Sequence, residues 1–213
     1  MAFEASETGA MSGGKAKAVE RAEISQRAGG LKVERHLTRP GENALETVNY
    51  VKRDSVISNP DGSVVFEARG VDVPEGWSQL ATDIAVSKYF RKAGLHGDPK
   101  KGERSVRELV YRVAHTIREA GEEFGGYFAD EEAAETFEQE LAHLLVHQKA
   151  AFNSPVWFNC GLYHHYGIEG SGGNWAWDPA TDAITMTENA YVRPQCSACF
   201  IQSVEDEIGR AHV

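Results

Sequence analysis

Phe152-Asn153-Ser154-Pro155-Val156-Trp157-Phe158-Asn159 and, further on, Arg193-Pro194-Gln195-Cys196-Ser197-Ala198-Cys199-Phe200-Ile201 are the stretches that decide how this chain of 213 residues is read. A proline pushes the residue before it toward extended backbone, so Pro155 predicts that the preceding helix ends near Asn153. Helix termination is the plainer role for Asn153-Ser154-Pro155. A hydroxyl beside exposed backbone amides is also a reasonable phosphate contact, which makes Ser154 a candidate. Cys199-Phe200-Ile201 reads as the start of a buried strand. Cys196-Ser197-Ala198-Cys199 is a single C-x-x-C, and three chemistries stay open for it: half a zinc site, a redox pair, or two small buried apolar side chains. A complete zinc site would need Cys160 and one of His164 or His165 as further ligands. A small zinc-binding interaction module built on Cys160, His164 or His165, Cys196 and Cys199 is therefore the rival to an enzymatic reading.

Upstream of these stretches the chain reads as mainly helical. Asn59-Pro60-Asp61-Gly62 is strong turn chemistry between two apolar-containing runs, so a small hairpin is predicted between Val51 and Gly70. Trp77, Leu80, Ala81, Ile84, Ala85 and Tyr89 recur at helical spacing and predict a helix ending before Gly94. Leu95 to Glu103 is polar and reads as a loop. Ser105 and Glu108 form a capping-box pattern ahead of Leu109, Val110, Val113 and Ile117, and that helix is expected to stop at Gly121. Asp130 is a second cap candidate, with Glu131 and Glu132 in the favoured first turn and Phe137, Leu141, Leu144 and Leu145 on one face.

Between the two deciding stretches, Gly167 to Trp177 holds four glycines and two tryptophans. Leu162 to Tyr191 reads as a long ordered loop or insertion. Gly170-Ser171-Gly172-Gly173 lacks the following Lys-Ser or Lys-Thr and the preceding strand that a phosphate loop needs, so its glycines serve backbone turns. His143 and His147 share a helical face, but Leu144-Leu145-Val146 between them excludes the metalloprotease pattern. A packing or surface role is expected for both.

Composition sets the outer limits. The net charge of -10 argues against a nucleic-acid backbone as partner, since that binding is largely phosphate neutralisation by Lys and Arg. Residues 1–30 are rich in Ala, Gly, Ser, Glu and Lys with no large apolar run, and are expected to be a disordered tail. They lack the apolar segment of a signal peptide. No apolar run is long enough to cross a bilayer, so no membrane partner and a cytoplasmic location are expected. Three cysteines speak against a disulfide framework.

In order along the chain, the two deciding stretches resemble the start of the catalytic barrel of adenosylcobalamin-dependent (class II) ribonucleotide reductases. The similarity extends through Gly76-Trp77-Ser78-Gln79, Ser87-Lys88-Tyr89-Phe90, Phe128-Ala129-Asp130-Glu131 and His147-Gln148-Lys149-Ala150-Ala151, covering Leu31 to Glu207. The Gly- and Trp-rich insertion resembles that of longer bacterial members. The resemblance implies an α/β fold: a mainly helical amino-terminal domain over 31–151, then the first strand region of a truncated ten-stranded α/β barrel over 152–207. It implies reduction of ribonucleotides, diphosphates in the longer members, to 2'-deoxyribonucleotides by thiyl-radical chemistry, with adenosylcobalamin generating the radical. Cys199 matches the redox-active cysteine of the first barrel strand, which forms a disulfide with a cysteine further along the family's sequence. Ser154 matches a substrate-phosphate contact, and Ala198 lies beside the ribose through its backbone. Cys196, an odd number of residues from Cys199 on a strand, points to the opposite face and is not taken as its redox partner.

A thioredoxin-like protein or small dithiol is the implied reductant, and a homodimer the implied assembly. The thiyl cysteine and most of the cobalamin surface lie further along in the family, so this chain alone is expected to be inactive. Residues 208–213, Ile-Gly-Arg-Ala-His-Val, depart from the family and resemble a translated sequencing adapter; a non-native tail is expected there.

Overall fold

The structure is a computed structural model and describes residues 29–123, 126–178 and 181–198. Strands β1 (Tyr50–Ser58) and β2 (Val64–Pro74) pair antiparallel across the predicted turn. Asn59 N–H donates to Ser63 O at 2.8 Å and Gly62 N–H to Asn59 O at 2.9 Å, with Gly62 at φ +84°. That backbone conformation strains any residue with a Cβ. The register slips opposite Asp54, whose carboxylate accepts from Gly70 N–H at 2.8 Å and from the Arg69 guanidinium at 3.1 Å. Beyond the slip, Val71 and Val73 turn inward at alternate positions, as strand geometry requires.

Helix α1 (Gln79–Ile84) is capped by Ser78 Oγ, which accepts from Ala81 N–H at 3.1 Å. It runs into a π-helical turn, Ala85–Tyr89, and stops before Gly94 as expected. The apolar face does not stay on one side. The wider turn rotates the chain, so Ala85, Val86 and Phe90 are buried while Leu80 and Ile84 are left exposed.

Helix α2 (Val106–Glu123) opens on the capping box: Ser105 Oγ accepts from Arg107 N–H at 3.1 Å, and Glu108 accepts from Ser105 N–H at 3.0 Å. Val106, Leu109, Val110, Val113 and Ala114 form its buried stripe. The expected stop at Gly121 is not observed; the helix passes through it to Glu123. A Cβ at Gly121 would lie 2.5 Å from the Phe128 ring, so this glycine permits close packing and not termination.

Helix α3 (Glu131–Val146) begins at Asp130, whose Oδ1 accepts from Ala133 N–H at 2.8 Å. Asp130→Ala should lower stability by about 1 kcal/mol, the usual cost of a lost cap, read as a fall in urea midpoint at unchanged slope. The helix ends at Val146, earlier than the expected boundary near Asn153. Gln148 adopts φ +54°, and Lys149 and Ala150 N–H donate back to Leu144 O at 2.8 and 3.2 Å. A left-handed residue satisfying the last carbonyls is an ordinary helix stop. Pro155 instead lies in the first turn of a new helix, α4 (Ser154–Asn159), capped by Asn153. Proline suits a first turn because the amide it lacks would have no intrahelical acceptor.

The segment expected as a loop holds α5 (Leu162–Tyr166) and an exposed hairpin of β3 (Trp175–Asp178) and β4 (Ala183–Met186). The Gly170–Gly173 run packs against residues 187–191: a Cβ at Gly172 would lie 2.9 Å from Glu188 O. One apolar cluster joins β2, the π-helical turn, α2 and α3, and Trp157 and Cys160 enter it from the end of α4.

The architecture is thus mixed α and β, and among the described residues the paired strands form two antiparallel hairpins. At the other end, Gly30, expected in the tail, packs where a Cβ would lie 2.4 Å from the Phe128 backbone. The rest of the expected tail (1–28), the strand at Cys199–Ile201 and the tail 208–213 lie outside the described residues. Among the described residues no helix is long and apolar enough to cross a membrane.

Candidate functional site

Ser154 is the first residue of α4, placed there by the Asn153 cap and the proline that follows. It is half-buried, and its Oγ lies 3.2 Å from the Tyr89 hydroxyl. Tyr89 stacks on Trp157 with ring centres 6.0 Å apart and tilts against Phe158 at 5.5 Å. The π-helical turn therefore positions the hydroxyl partner of Ser154. From the sequence, Tyr89 reads only as an apolar helix position; its polar tip, common for tyrosine in a core, is the available signal.

Asn159, at the other end of α4, donates from Nδ2 to Gln195 O at 2.8 Å. This bond lays the segment 193–198 alongside the end of α4, bringing the two deciding stretches together. Ala198 is exposed there. Cys199 lies outside the described residues, so its side chain is not placed. Cys160 is buried, and Cys196, half-buried, packs against the same apolar cluster. The influence of the Cys196 thiol, then burial, holds the Cys160 thiol well above the ordinary thiol range, and the Cys160 thiol in turn brings Cys196 down to about 7.

Beneath α4 lies a buried ion pair that sequence reading misses. Arg112 and Glu103 are both fully withdrawn from solvent, with Nε to Oε1 at 2.8 Å. The guanidinium also donates to the Trp157 carbonyl at 3.1 Å and to the Cys160 carbonyl. These belong to the end of α4, where helix carbonyls have no intrahelical partner. Glu103 accepts in turn from the Tyr166 hydroxyl at 2.9 Å and from Arg91 N–H at 2.6 Å. Burial and the Glu103 carboxylate push the Tyr166 hydroxyl above its ordinary range. An arginine inside the apolar stripe of α2 is the legible hint; its partner in a polar loop carries none.

The histidines do not gather around the cysteines. His164 is exposed and donates from Nε2 to Val192 O at 2.9 Å. His165 faces Tyr111, Tyr166, His96 and His115, and burial, then electrostatic repulsion from the His115 and His96 side chains, pushes it below the usual histidine range. The His143 and His147 rings lie 4.2 Å apart, the packing role expected. Among the described residues no three His, Cys, Asp or Glu side chains are placed to hold a metal. The zinc module on Cys160, His164 or His165, Cys196 and Cys199 is thereby not supported: of the set, only Cys160 and Cys196 are seen to converge.

Two cavities of about 240 Å³ open beside the core, one lined by Trp77, Tyr89, Leu145 and Trp157, the other by His96, Lys101, Arg107 and Tyr111. Pockets that enclose drug-sized ligands run to roughly 300–1,000 Å³, and a corrinoid is larger still. Neither of these two cavities would enclose a cobalamin.

Residues 51–148 match the family described as class II vitamin B12-dependent ribonucleotide reductase. The chain is also similar to proteins named vitamin B12-dependent ribonucleotide reductase in three bacteria. Identity is 44% over 171 residues for Rhodopirellula baltica, covering 79% of this chain and 16% of the relative. It is 41% over 209 residues for Agrobacterium fabrum, covering 84% and 16%, and 47% over 189 residues for Streptomyces coelicolor, covering 88% and 16%. The chain thus spans about one sixth of the length of the curated relatives it matches. Similarity of this extent across these relatives means that the chain belongs to the class II vitamin B12-dependent ribonucleotide reductases.

Proposed function

We propose that this chain is part of an enzyme that reduces ribonucleotides to 2'-deoxyribonucleotides, and that residues 152–199 supply the start of its substrate site. The observation that carries this reading is the Asn159–Gln195 bond, which sets Ser154's helix beside the segment leading to Ala198 and Cys199. In this reading Ser154 Oγ donates to a substrate phosphate, oriented by Tyr89. The backbone of Ala198 lies against the ribose, and Cys199 supplies one of the two thiols that become a disulfide as the ribose is reduced. The substrate is a ribonucleoside diphosphate, and a thioredoxin-like protein or small dithiol restores the thiols by exchange. The cofactor is adenosylcobalamin, held outside the described residues. The division at 151/152 between a helical domain and a ten-stranded α/β barrel, a homodimeric assembly and a cytoplasmic setting belong to the same reading.

The test is an assay of the full reading frame recovered from the source DNA, with adenosylcobalamin, a dithiol and each ribonucleotide. Ser154→Ala should raise KM about tenfold with kcat nearly unchanged, the mark of binding lost equally from ground and transition states; a hydrogen bond to a charged group is worth about 1.5–3 kcal/mol. Cys199→Ser should abolish multiple turnover. Activity indifferent to Cys199, or no cobalamin-dependent product, would overturn the reading.

A further inference from the structure

We propose that Cys160 and Cys196 form a second dithiol, distinct from any pair involving Cys199, which closes to a disulfide under oxidising conditions and ties the end of α4 to the segment before Ala198. The residues lie in adjacent backbones whose preceding residues, Asn159 and Gln195, are joined at 2.8 Å. Both side chains enter one apolar cluster, and neither is already in a disulfide. Two buried thiols serving only as small apolar side chains would need no asymmetry between them. Here Cys160 is buried and Cys196 is half-exposed, so a reagent reaches Cys196 first. The mutual influence of the two thiols works in the same sense: it favours the thiolate on Cys196, down to about 7, and the protonated form on Cys160. The thiolate is the nucleophile in disulfide exchange. The accessible sulfur is thus the attacking one and the buried sulfur the resolving one.

The oxidant is a small-molecule disulfide such as oxidised glutathione. The Cys196 thiolate attacks one of its sulfurs, forming a mixed disulfide and releasing one glutathione thiolate. Cys160 then attacks the Cys196 sulfur, giving up its proton and displacing the second glutathione thiolate. Two protein thiols lose two electrons and two protons, and one glutathione disulfide becomes two glutathione thiols. A reduced dithiol reverses the exchange. Because Cys196 lies three residues before Cys199, closure limits the freedom of the segment carrying Ala198. This inference stands apart from the proposed function, since it concerns two residues that reading leaves without a role.

The test is titration of the 213-residue chain with mixtures of reduced and oxidised glutathione, followed by alkylation and non-reducing peptide mapping. Two of the three thiols should be lost together as a Cys160–Cys196 peptide, with Cys199 still alkylatable, and Cys199→Ser should give the same linked peptide. Cys160→Ser should instead accumulate glutathione on Cys196. Should that variant fail to fold, the pH profile for alkylation of Cys196 in the unaltered chain decides, with an expected midpoint at about 7 against about 8.5 for a free thiol. A Cys196–Cys199 link, glutathione persisting on Cys196 of the unaltered chain, a profile at the free-thiol midpoint, or no thiol lost would each overturn the proposal.

Discussion

Arg112→Leu is expected to destabilise the chain by about 3–5 kcal/mol, the range found when one partner of a buried ion pair is removed. The wild-type guanidinium serves three acceptors at once: Glu103 at 2.8 Å, the Trp157 carbonyl at 3.1 Å and the Cys160 carbonyl. Leucine fills much of the volume but leaves a buried carboxylate without its counter-charge and two carbonyls without a donor. Whole-domain stability is only about 5–15 kcal/mol, so the loss is a large fraction of it. For a chain of this size, about 2–4 °C per kcal/mol translates the loss into a fall in Tm on the order of 10 °C. Thermal and urea unfolding measure it. The double variant Arg112→Leu/Glu103→Leu should recover part of the loss, because no unpaired charge then stays buried. A double variant no more stable than Arg112→Leu would show that the carbonyl contacts, and not the charge pairing, dominate.

Gly161→Ala should cost about 3 kcal/mol, for two reasons that act together. Gly161 has φ +78°, a left-handed conformation that costs an L-residue about 1–2 kcal/mol. Its added Cβ would also lie 2.6 Å from Arg112 Cγ and Thr116 Oγ1 and 2.8 Å from Arg112 O, and overpacking adds about 1–3 kcal/mol. Gly167, at the other end of α5, separates the two effects. It has φ +67°, but a Cβ added there would meet open space, with nothing within 4 Å. Gly167→Ala should therefore cost about 1–2 kcal/mol, the conformational part alone. Equal urea midpoints for the two variants would refute the steric part of the account.

The elements legible in the sequence are those set by neighbours along the chain. The Asn59–Gly62 turn, the Ser105–Glu108 capping box and the Asp130 cap each depend on groups within four residues of one another. Their chemistry is complete in a short window, so reading them needs no knowledge of the rest. Ser154 stands out in such a window, and the structure places it, half-buried, at the start of α4. Boundaries fare worse where one residue type has two uses. Gly121 reads as a stop and serves as a packing contact; Pro155 reads as ending one helix and begins another. Either use is compatible with the local sequence, and what chooses between them is the ring of Phe128 or the left-handed turn at Gln148.

Local composition and spacing are thus enough to reveal the first hairpin, helices α1, α2 and α3 and the caps at Ser105 and Asp130, and the ordered motifs are enough to reveal the family, because each rests on short-range geometry or on residue identity in order. Tertiary structure alone decides that Arg112 and Glu103 are buried together, that Tyr89 meets Ser154 across 65 positions, and that Cys160 and Cys196 share one region of the core. The physical reason is that burial and pairing depend on which faces the whole chain brings together, and a charge, hydroxyl or thiol looks the same in sequence whether solvent or a partner will surround it.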